Sequence, residues 1–362
     1  MEKWIWQLAA FIVLGIILIA ASDFLTKSQD SAPQAIEQSN LGDTAKSLQY
    51  KKTPYFQSYA GVINDPDGDD FLSYEQLKGK VVLVDIWTYS CINCIRTLPY
   101  VQSWNEKYSD NGLVVIGVHS PEFEFEKERS NVEDAVKSYG LTFPIILDND
   151  RKLWSQFKNS YWPRKYLIDA DGYIRYDHIG EGGYDETEDK IVELLKELNN
   201  SSKKEDKQIG PESVDFAKIG TPELYFGANY RRAPLGNQKD GTEALSGANY
   251  TIPDKLTPNL IYISGAWKDN GETMELVSEE GEIALYYSAK AVHLVADSKN
   301  SSTLRAYIDD SLHKPVDSDS NSSILVSKSR LYRIAELQNY GSHILRIKIS
   351  GSGFRAYSFT FG

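Results

Sequence analysis

The feature that most constrains this chain is a buried-strand pattern that runs directly into a pair of cysteines. Residues 81–86, Val-Val-Leu-Val-Asp-Ile, form an apolar and mostly β-branched run of strand length. A short Trp-Thr-Tyr-Ser turn follows, and Cys91 and Cys94 then open a segment with a helical pattern. The sequence contains 2 cysteines, so neither has another partner within the chain. We predict a small disulfide loop at a strand-to-helix junction that can close and reopen.

The positions of the two cysteines predict different roles. Only a thiolate is nucleophilic, and the unpaired N–H groups at a helix N-terminus stabilise it. Cys91 stands at the helix start and is therefore the predicted nucleophile, whereas Cys94, one turn further on, is expected to be more buried and to act as the resolving thiol. Asp85 lies on the preceding strand, where burial of a lone carboxylate is costly unless the group has a partner or a functional role. We predict that Asp85 accepts and donates the proton of Cys94.

Two structural interpretations of the cysteine pair are weaker. A tetrahedral zinc site needs two more ligands, and the 5 histidines are scattered without a short His-His spacing. A disulfide that closes a two-residue loop removes little chain entropy and stabilises a fold poorly. The sequence therefore predicts redox activity, no metal site, and no cofactor other than the Cys91–Cys94 disulfide itself.

The run Val-Asp-Ile-Trp-Thr-Tyr-Ser-Cys-Ile-Asn-Cys resembles a thioredoxin-family active site. Pro99, five residues after Cys94, matches the helix-kinking proline of that family, and Trp162-Pro163 matches its cis-proline loop. The resemblance implies a thioredoxin-like α/β fold with Pro163 in the cis form. It also implies that the Trp162 backbone pairs with an extended substrate segment. The residues expected to bind substrate are Trp162, Pro163 and Trp87.

Residues 53–362 resemble, more specifically, the extracytoplasmic part of DipZ-type cytochrome c biogenesis proteins. Gly-Val-His-Ser-Pro-Glu (117–122), Tyr-Trp-Pro (161–163) and the closing Ala-Tyr-Ser-Phe-Thr-Phe-Gly (356–362) carry this likeness. It implies a TlpA-like thioredoxin domain followed by a carbohydrate-binding-module-like β-sandwich. DipZ-type proteins also carry a multi-span electron-carrying domain, so a reductase of this kind would need a separate membrane electron donor such as a CcdA-like protein. Thr97 stands where TlpA-like reductases often carry a glutamate.

The N-terminus predicts a membrane anchor. Residues 4–21 are apolar, contain no charge and are long enough to span a bilayer as a single transmembrane helix. A cleaved signal peptide is the alternative, because Ala20-Ala21-Ser22 offers small residues for cleavage. Residues 1–22 are thus the predicted anchor or uncleaved signal, and residues 23–52 a polar linker. We expect a single-pass protein of the cell membrane with its catalytic domain outside the cytoplasm.

Two further domains follow in the predicted organisation. Residues 53–199 alternate strand and helix patterns, which indicates an α/β layer, and residues 200–212 form a charged, Ser-rich linker. Residues 213–362 carry short β-branched and aromatic runs between turns, which is typical of an all-β sandwich of jelly-roll-like type. Its aromatic residues are candidate sugar-stacking side chains, although core packing is the simpler interpretation. They are Tyr225, Tyr230, Tyr250, Trp267, Tyr286 and Tyr287.

A second cluster of polar residues follows a predicted strand end. His119 is a candidate for tuning the thiolate, but a lone histidine more often has a structural role. The acidic stretch from Glu122 to Glu128 is interpreted most simply as a solvated loop.

The predicted function is exchange of disulfides with exported protein substrates, with cytochrome c maturation suggested by family analogy. A thiol peroxidase is one alternative, because Thr88-x-x-Cys91 matches half of the peroxiredoxin pattern, although Val84 stands where that pattern needs proline. A glycan- or cell-wall-binding surface protein with a minor redox role is another. The net charge of -12 argues against nucleic acid as a partner.

Overall fold

The structure, a computed structural model, describes residues 46–70, 72, 74–199, 214–238 and 247–362. The chain divides into two compact units, Met1–Lys52 and Thr53–Gly362. The predicted anchor at residues 1–22, most of the first linker and the linker at residues 200–212 lie outside the described residues. Within the described ranges, no helix has both the length and the apolar character that a membrane crossing requires.

The first half of the chain alternates strands and helices, as predicted. Its strands are Lys51–Lys52 (β1), Val62–Ile63 (β2), Val81–Trp87 (β3), Leu113–His119 (β4), Ile145–Leu147 (β5), Arg164–Ile168 (β6) and Tyr173–Ile179 (β7). Its helices are Tyr74–Leu77 (α1), Ile92–Tyr108 (α2), Arg129–Ser138 (α3), Lys152–Gln156 (α4) and Tyr184–Asn199 (α5).

A mixed sheet forms the centre of this half, in the order β7-β6-β3-β4-β5-β2. Strand β3 is parallel to β4, which is parallel to β5, whereas β6 runs antiparallel to β3. All seven residues of β3 are buried, because helices and loops cover both faces of this central strand. This explains why the sequence of β3 is continuously apolar instead of alternating. Asp85 is the exception within that run.

Helix α2 begins immediately after the first cysteine. Cys91 is its N-cap residue, with extended backbone angles, and Pro99 lies inside the helix. The buried face carries Leu98, Val101 and Trp104, which recur at helical spacing. The predicted strand-to-helix junction is therefore confirmed, and it places the two cysteines on the first turn of a helix at the end of the central strand.

The second half of the chain is β-rich, as predicted. Its strands are Leu224–Tyr225 (β8), Ala248–Tyr250 (β9), Ile261–Asp269 (β10), Met274–Leu276 (β11), Glu280–Ser298 (β12), Ser302–Ile308 (β13), Ser311–His313 (β14), Ile324–Val326 (β15), Arg330–Ser350 (β16) and Phe354–Phe361 (β17). All the pairings of these named strands are antiparallel.

Two of these strands are much longer than predicted. The sequence suggests separate strands over residues 283–288 and 292–296, and over 331–336 and 344–349. Each pair is instead one strand, β12 and β16, and the two pair along most of their length. The register shifts between Ala289 and Ala291 and between Val292 and His293. Such bulges bend a strand without ending it, so a break in the apolar pattern does not mark a strand end here.

Candidate active site

Cys91 and Cys94 occupy different environments, as predicted. Cys91 is half-buried, whereas Cys94 is fully buried. The Cys94 backbone N–H donates a hydrogen bond to the Cys91 Sγ over 3.3 Å. The sulfur thus takes the place of the oxygen that usually caps a helix, next to the unpaired N–H groups that stabilise a thiolate. Burial, followed by hydrogen bonding to Cys91, raises the pKa of Cys94 well above its ordinary value. Cys94 therefore needs a proton acceptor before it can react.

Asp85 is a candidate for that acceptor. Its side chain is 1% exposed, and neither carboxylate oxygen has a hydrogen-bond partner among the described residues. Burial raises the pKa of Asp85 to about 6, and the positive charge of Lys165 opposes the rise. Asp85 also raises the pKa of Cys94 through its charge, so the two groups interact electrostatically. A carboxyl group with a pKa near neutrality can both accept and return a proton.

Lys165 is a charged neighbour of Asp85 that no local sequence pattern revealed. Lys165 lies directly opposite Asp85 in the antiparallel pairing of β3 and β6, and it is 0% exposed. Its Nζ donates to the Gly180 carbonyl oxygen over 3.1 Å. Burial lowers the pKa of Lys165, while the Asp85 charge counteracts this. Asp85 and Lys165 are therefore buried, oppositely charged groups whose charges both act in the environment of Cys94.

Trp162 lines the cleft at Cys91, Pro163 follows it as a buried residue, and Trp87 is buried in the same core cluster as Cys94. The Trp162–Pro163 peptide bond is cis, which confirms the prediction. Trp162 lines the same cleft as Cys91, and its Nε1 donates to the Ser120 carbonyl oxygen over 2.9 Å. Trp87 is 0% exposed. Trp87 ends strand β3 inside an apolar core cluster. It is therefore not placed to contact a substrate, and the prediction of a binding role for Trp87 has to be corrected to core packing.

His119 has a structural environment. It lies opposite Trp87 in the pairing of β3 and β4, with the two rings edge to face at 5.3 Å. Its Nε2 accepts a hydrogen bond from the Tyr89 backbone N–H over 3.3 Å. Burial lowers the pKa of His119 to about 3, so the ring is neutral at physiological pH. These contacts favour the structural interpretation of this histidine.

The prediction of a solvated acidic loop is wrong for Glu126. This carboxylate is 0% exposed and accepts hydrogen bonds from the Ser90 hydroxyl over 2.5 Å and from the backbone N–H groups of Glu122 and Phe123. Burial raises its pKa. Glu126 thereby holds the residue that precedes Cys91. The alternation Phe-Glu-Phe-Glu at residues 123–126 is the signal that could have revealed it, because aromatic residues rarely line a fully solvated loop.

The β-rich half covers one side of the cysteine motif. Ile92 is 6% exposed and packs in an apolar cluster with Val295, Leu331 and Tyr357. The Tyr89 hydroxyl donates to the Ser329 carbonyl oxygen over 3.0 Å. A cleft of about 440 Å³ remains beside Cys91. Trp162 lines it on one side, and segments of the β-rich half line the other.

Most of the aromatic residues considered for sugar stacking are core residues. Four of them are at most 9% exposed: Tyr225, Tyr250, Trp267 and Tyr287. Tyr230 and Tyr286 are half-buried. This agrees with the simpler interpretation that aromatic residues in these strands fill the core.

Two protein families match separate parts of the chain. Redoxin matches residues 42–195, and the thioredoxin like C-terminal domain matches residues 221–362. Among solved structures, a thioredoxin-like protein in the oxidised form is 28% identical. That comparison covers 41% of this chain and 98% of the other, with a TM-score of 0.38.

Curated relatives cover more of the chain. The proteins named DipZ of Mycobacterium bovis and Mycobacterium tuberculosis are each 34% identical over 333 residues, which is 91% of this chain. The chain spans 46% of the length of each. The thiol-disulfide oxidoreductase YkuV of Bacillus subtilis is 32% identical over 34% of this chain and 83% of its own length.

The mixed sheet, the cysteine pair at the start of α2 and the cis-proline loop define a protein of the thioredoxin-like class. A β-rich domain follows the thioredoxin-like fold. The chain belongs to the thioredoxin-like family of the DipZ and TlpA type.

Proposed function

We propose that this protein exchanges disulfides with exported protein substrates outside the cytoplasm, using Cys91 and Cys94. One observation carries the proposal: Cys91 lines an open cleft, whereas Cys94 is buried near Asp85, whose carboxylate has no hydrogen-bond partner among the described residues. This arrangement separates a sulfur that a substrate can reach from a sulfur that only Cys91 can meet. Cys91 therefore reacts first with the substrate, and Cys94 then resolves the mixed disulfide.

The proposed reaction transfers two electrons from the dithiol to the substrate. The Cys91 thiolate attacks one sulfur of the substrate disulfide, so that a mixed disulfide forms and the other substrate sulfur leaves as a thiolate. Asp85 accepts the proton of Cys94, and the resulting thiolate attacks the Cys91 sulfur. The first substrate sulfur then leaves and takes up a proton. The substrate ends as a dithiol and the protein as the Cys91–Cys94 disulfide, without another cofactor.

The reduced protein must be regenerated if it acts as a reductase. We propose a separate membrane electron donor, such as a CcdA-like protein, and residues 1–22 as the tether that keeps the catalytic domain near it. Cytochrome c maturation is the process we propose first, because the relatives named DipZ cover most of this chain. We also propose that residues 213–362 form a two-layered sandwich, separated by residues 200–212 from a thioredoxin-like domain at residues 53–199. A glycan ligand for that sandwich is a further proposal.

Trapping experiments test the exchange mechanism. Cys94→Ser leaves the attacking sulfur in place and removes the resolving one, so mixed disulfides should accumulate on non-reducing gels of cells that express it. Cys91→Ser is the matched control, because it makes the same single-atom change and should trap none. A Cys94→Ser protein that is folded and accumulates no adducts would contradict the proposal.

A further inference from the structure

Two carboxylates from different halves of the chain meet in the cleft beside Cys91. Glu122 follows strand β4, and Glu223 precedes β8; both are half-buried and line the cleft. The Tyr225 hydroxyl donates to the Glu122 Oε1 over 2.7 Å, and the charge of Glu223 also acts on this tyrosine. Neither the thioredoxin-like half nor the β-rich half alone would create this pair.

Each carboxyl group of the pair lies in an environment that disfavours its ionised form. Burial and the charge of Glu223 raise the pKa of Glu122 to about 8, and burial also raises the pKa of Glu223. Arg151 and Arg232 oppose these shifts through their charges. Arg151 donates to the Pro121 carbonyl oxygen over 2.6 Å and to the Glu122 carbonyl oxygen over 3.4 Å, so both of these hydrogen bonds go to backbone oxygens and not to the Glu122 carboxylate. Two carboxylates that share a partly desolvated site repel each other, and a further cation would relieve that repulsion.

A second feature of the same cleft also points to a ligand. Ser358 and Thr360 lie two residues apart on strand β17 and line the cleft. The Ser358 side chain is 1% exposed, and the hydroxyl oxygens of both residues have no hydrogen-bond partner among the described residues. Shielded hydroxyls without partners are costly unless a ligand completes their bonds. Their spacing along a strand matches the repeat of an extended polypeptide.

We propose that this cleft binds an extended stretch of polypeptide that carries a lysine or arginine close to the cysteine attacked by Cys91. The Glu122–Glu223 pair binds the cationic side chain, and the hydroxyls of Ser358 and Thr360 bind the peptide backbone. Because a charge within the cleft is partly shielded from water, its attraction to the pair is stronger than at an exposed surface. This inference rests on the proposed function and adds a substrate preference to it. A peptide fits the proposed reaction better than a glycan, since the cleft opens directly at the reactive sulfur.

The preference can be measured with three synthetic disulfide peptides that differ only in the residue next to one cysteine: Lys, Gln or Glu. The reduced full chain is mixed with each peptide, and the second-order rate constant of Cys91 oxidation is followed in a single turnover by stopped-flow fluorescence. We expect the Lys peptide to react about tenfold faster than the Gln peptide, and the Glu peptide to be the slowest. Equal rates for the three peptides would overturn the inference while leaving the exchange function intact, whereas failure to react with any peptide would overturn the function itself.

Variants locate the preference. The single variants Glu122→Gln and Glu223→Gln should each reduce the differences among the three rate constants. The double variant should bring the three rate constants within roughly twofold of one another. Glu186→Gln removes an exposed carboxylate of α5 and should keep the wild-type ranking. Ser358→Ala should raise the half-saturating concentration of all three peptides without lowering the melting temperature. A ranking that persists in the double variant, or a chito-oligosaccharide that blocks Cys91 better than any peptide does, would contradict the inference.

Discussion

Replacement of Asp85 by asparagine should change how the stability of the reduced protein depends on pH. Burial holds the pKa of Asp85 at about 6 in the folded protein, compared with an ordinary value of 3.8. The folded state therefore keeps a proton that the unfolded chain loses first. Stability from this group is complete below pH 3.8, declines as the pH rises toward 6, and stays low above that. A difference of about two pH units corresponds to about 3 kcal/mol.

The measurement compares urea unfolding of wild type and Asp85→Asn at several pH values between about 4 and 8, with both cysteines kept reduced. The difference in unfolding free energy between the variant and wild type should shift in favour of the variant by about 3 kcal/mol across that range. Most of the change should fall between about pH 4 and 6. Asp110→Asn is the matched control, because Asp110 is exposed. Its unfolding free energy should depend on pH in the same way as that of wild type.

Lys165 also affects the stability of the variant. Without Asp85 the buried ammonium group loses an attractive charge, which destabilises the variant and lowers the pKa of Lys165 further. The double variant Asp85→Asn/Lys165→Met removes both charges. Like Asp85→Asn, it should lack the pH-dependent contribution of Asp85 to the unfolding free energy. A difference between Asp85→Asn and wild type that is independent of pH, or that grows in the opposite direction, would refute the assignment of a raised pKa to Asp85.

Three further predictions concern neighbours of the cysteines. Lys165→Met removes the cation that lowers the pKa of Asp85, so the pH–rate profile for release of the mixed disulfide should move to higher pH by about one unit; an unchanged profile would argue against this coupling. Glu126→Gln gives up a charged acceptor for Ser90 and two backbone N–H groups and should cost about 2 kcal/mol in urea unfolding, whereas Glu124→Gln at an exposed position should cost less than about 0.5 kcal/mol. Ile92→Ala opens a cavity in the apolar cluster beneath the β-rich half and should lower the unfolding free energy by about 2–4 kcal/mol; a loss as small as that of a surface substitution would show that this contact does not form in solution.

Local sequence patterns were sufficient for the features that depend on neighbours along the chain. The apolar run at β3, the helix that starts after Cys91 and the hairpin of β6 and β7 each follow from periodicity and turn residues. The cis Trp162–Pro163 bond followed from family resemblance. The difference in burial between Cys91 and Cys94 also follows from their positions, because Cys91 is the N-cap residue at the helix end and Cys94 lies one turn inside the helix.

Features that depend on pairing between distant segments required the tertiary structure. Lys165 lies opposite Asp85 only because β6 pairs with β3 in one register, and a shift of one residue would move its side chain to the other face. Glu122 meets Glu223 only because the β-rich half packs against the loop after β4. The local pattern therefore identifies the two candidate residues for disulfide exchange. It does not identify the charges around them, because the electrostatic environment depends on distance in space and on exclusion of water, and only the packing of distant segments fixes these.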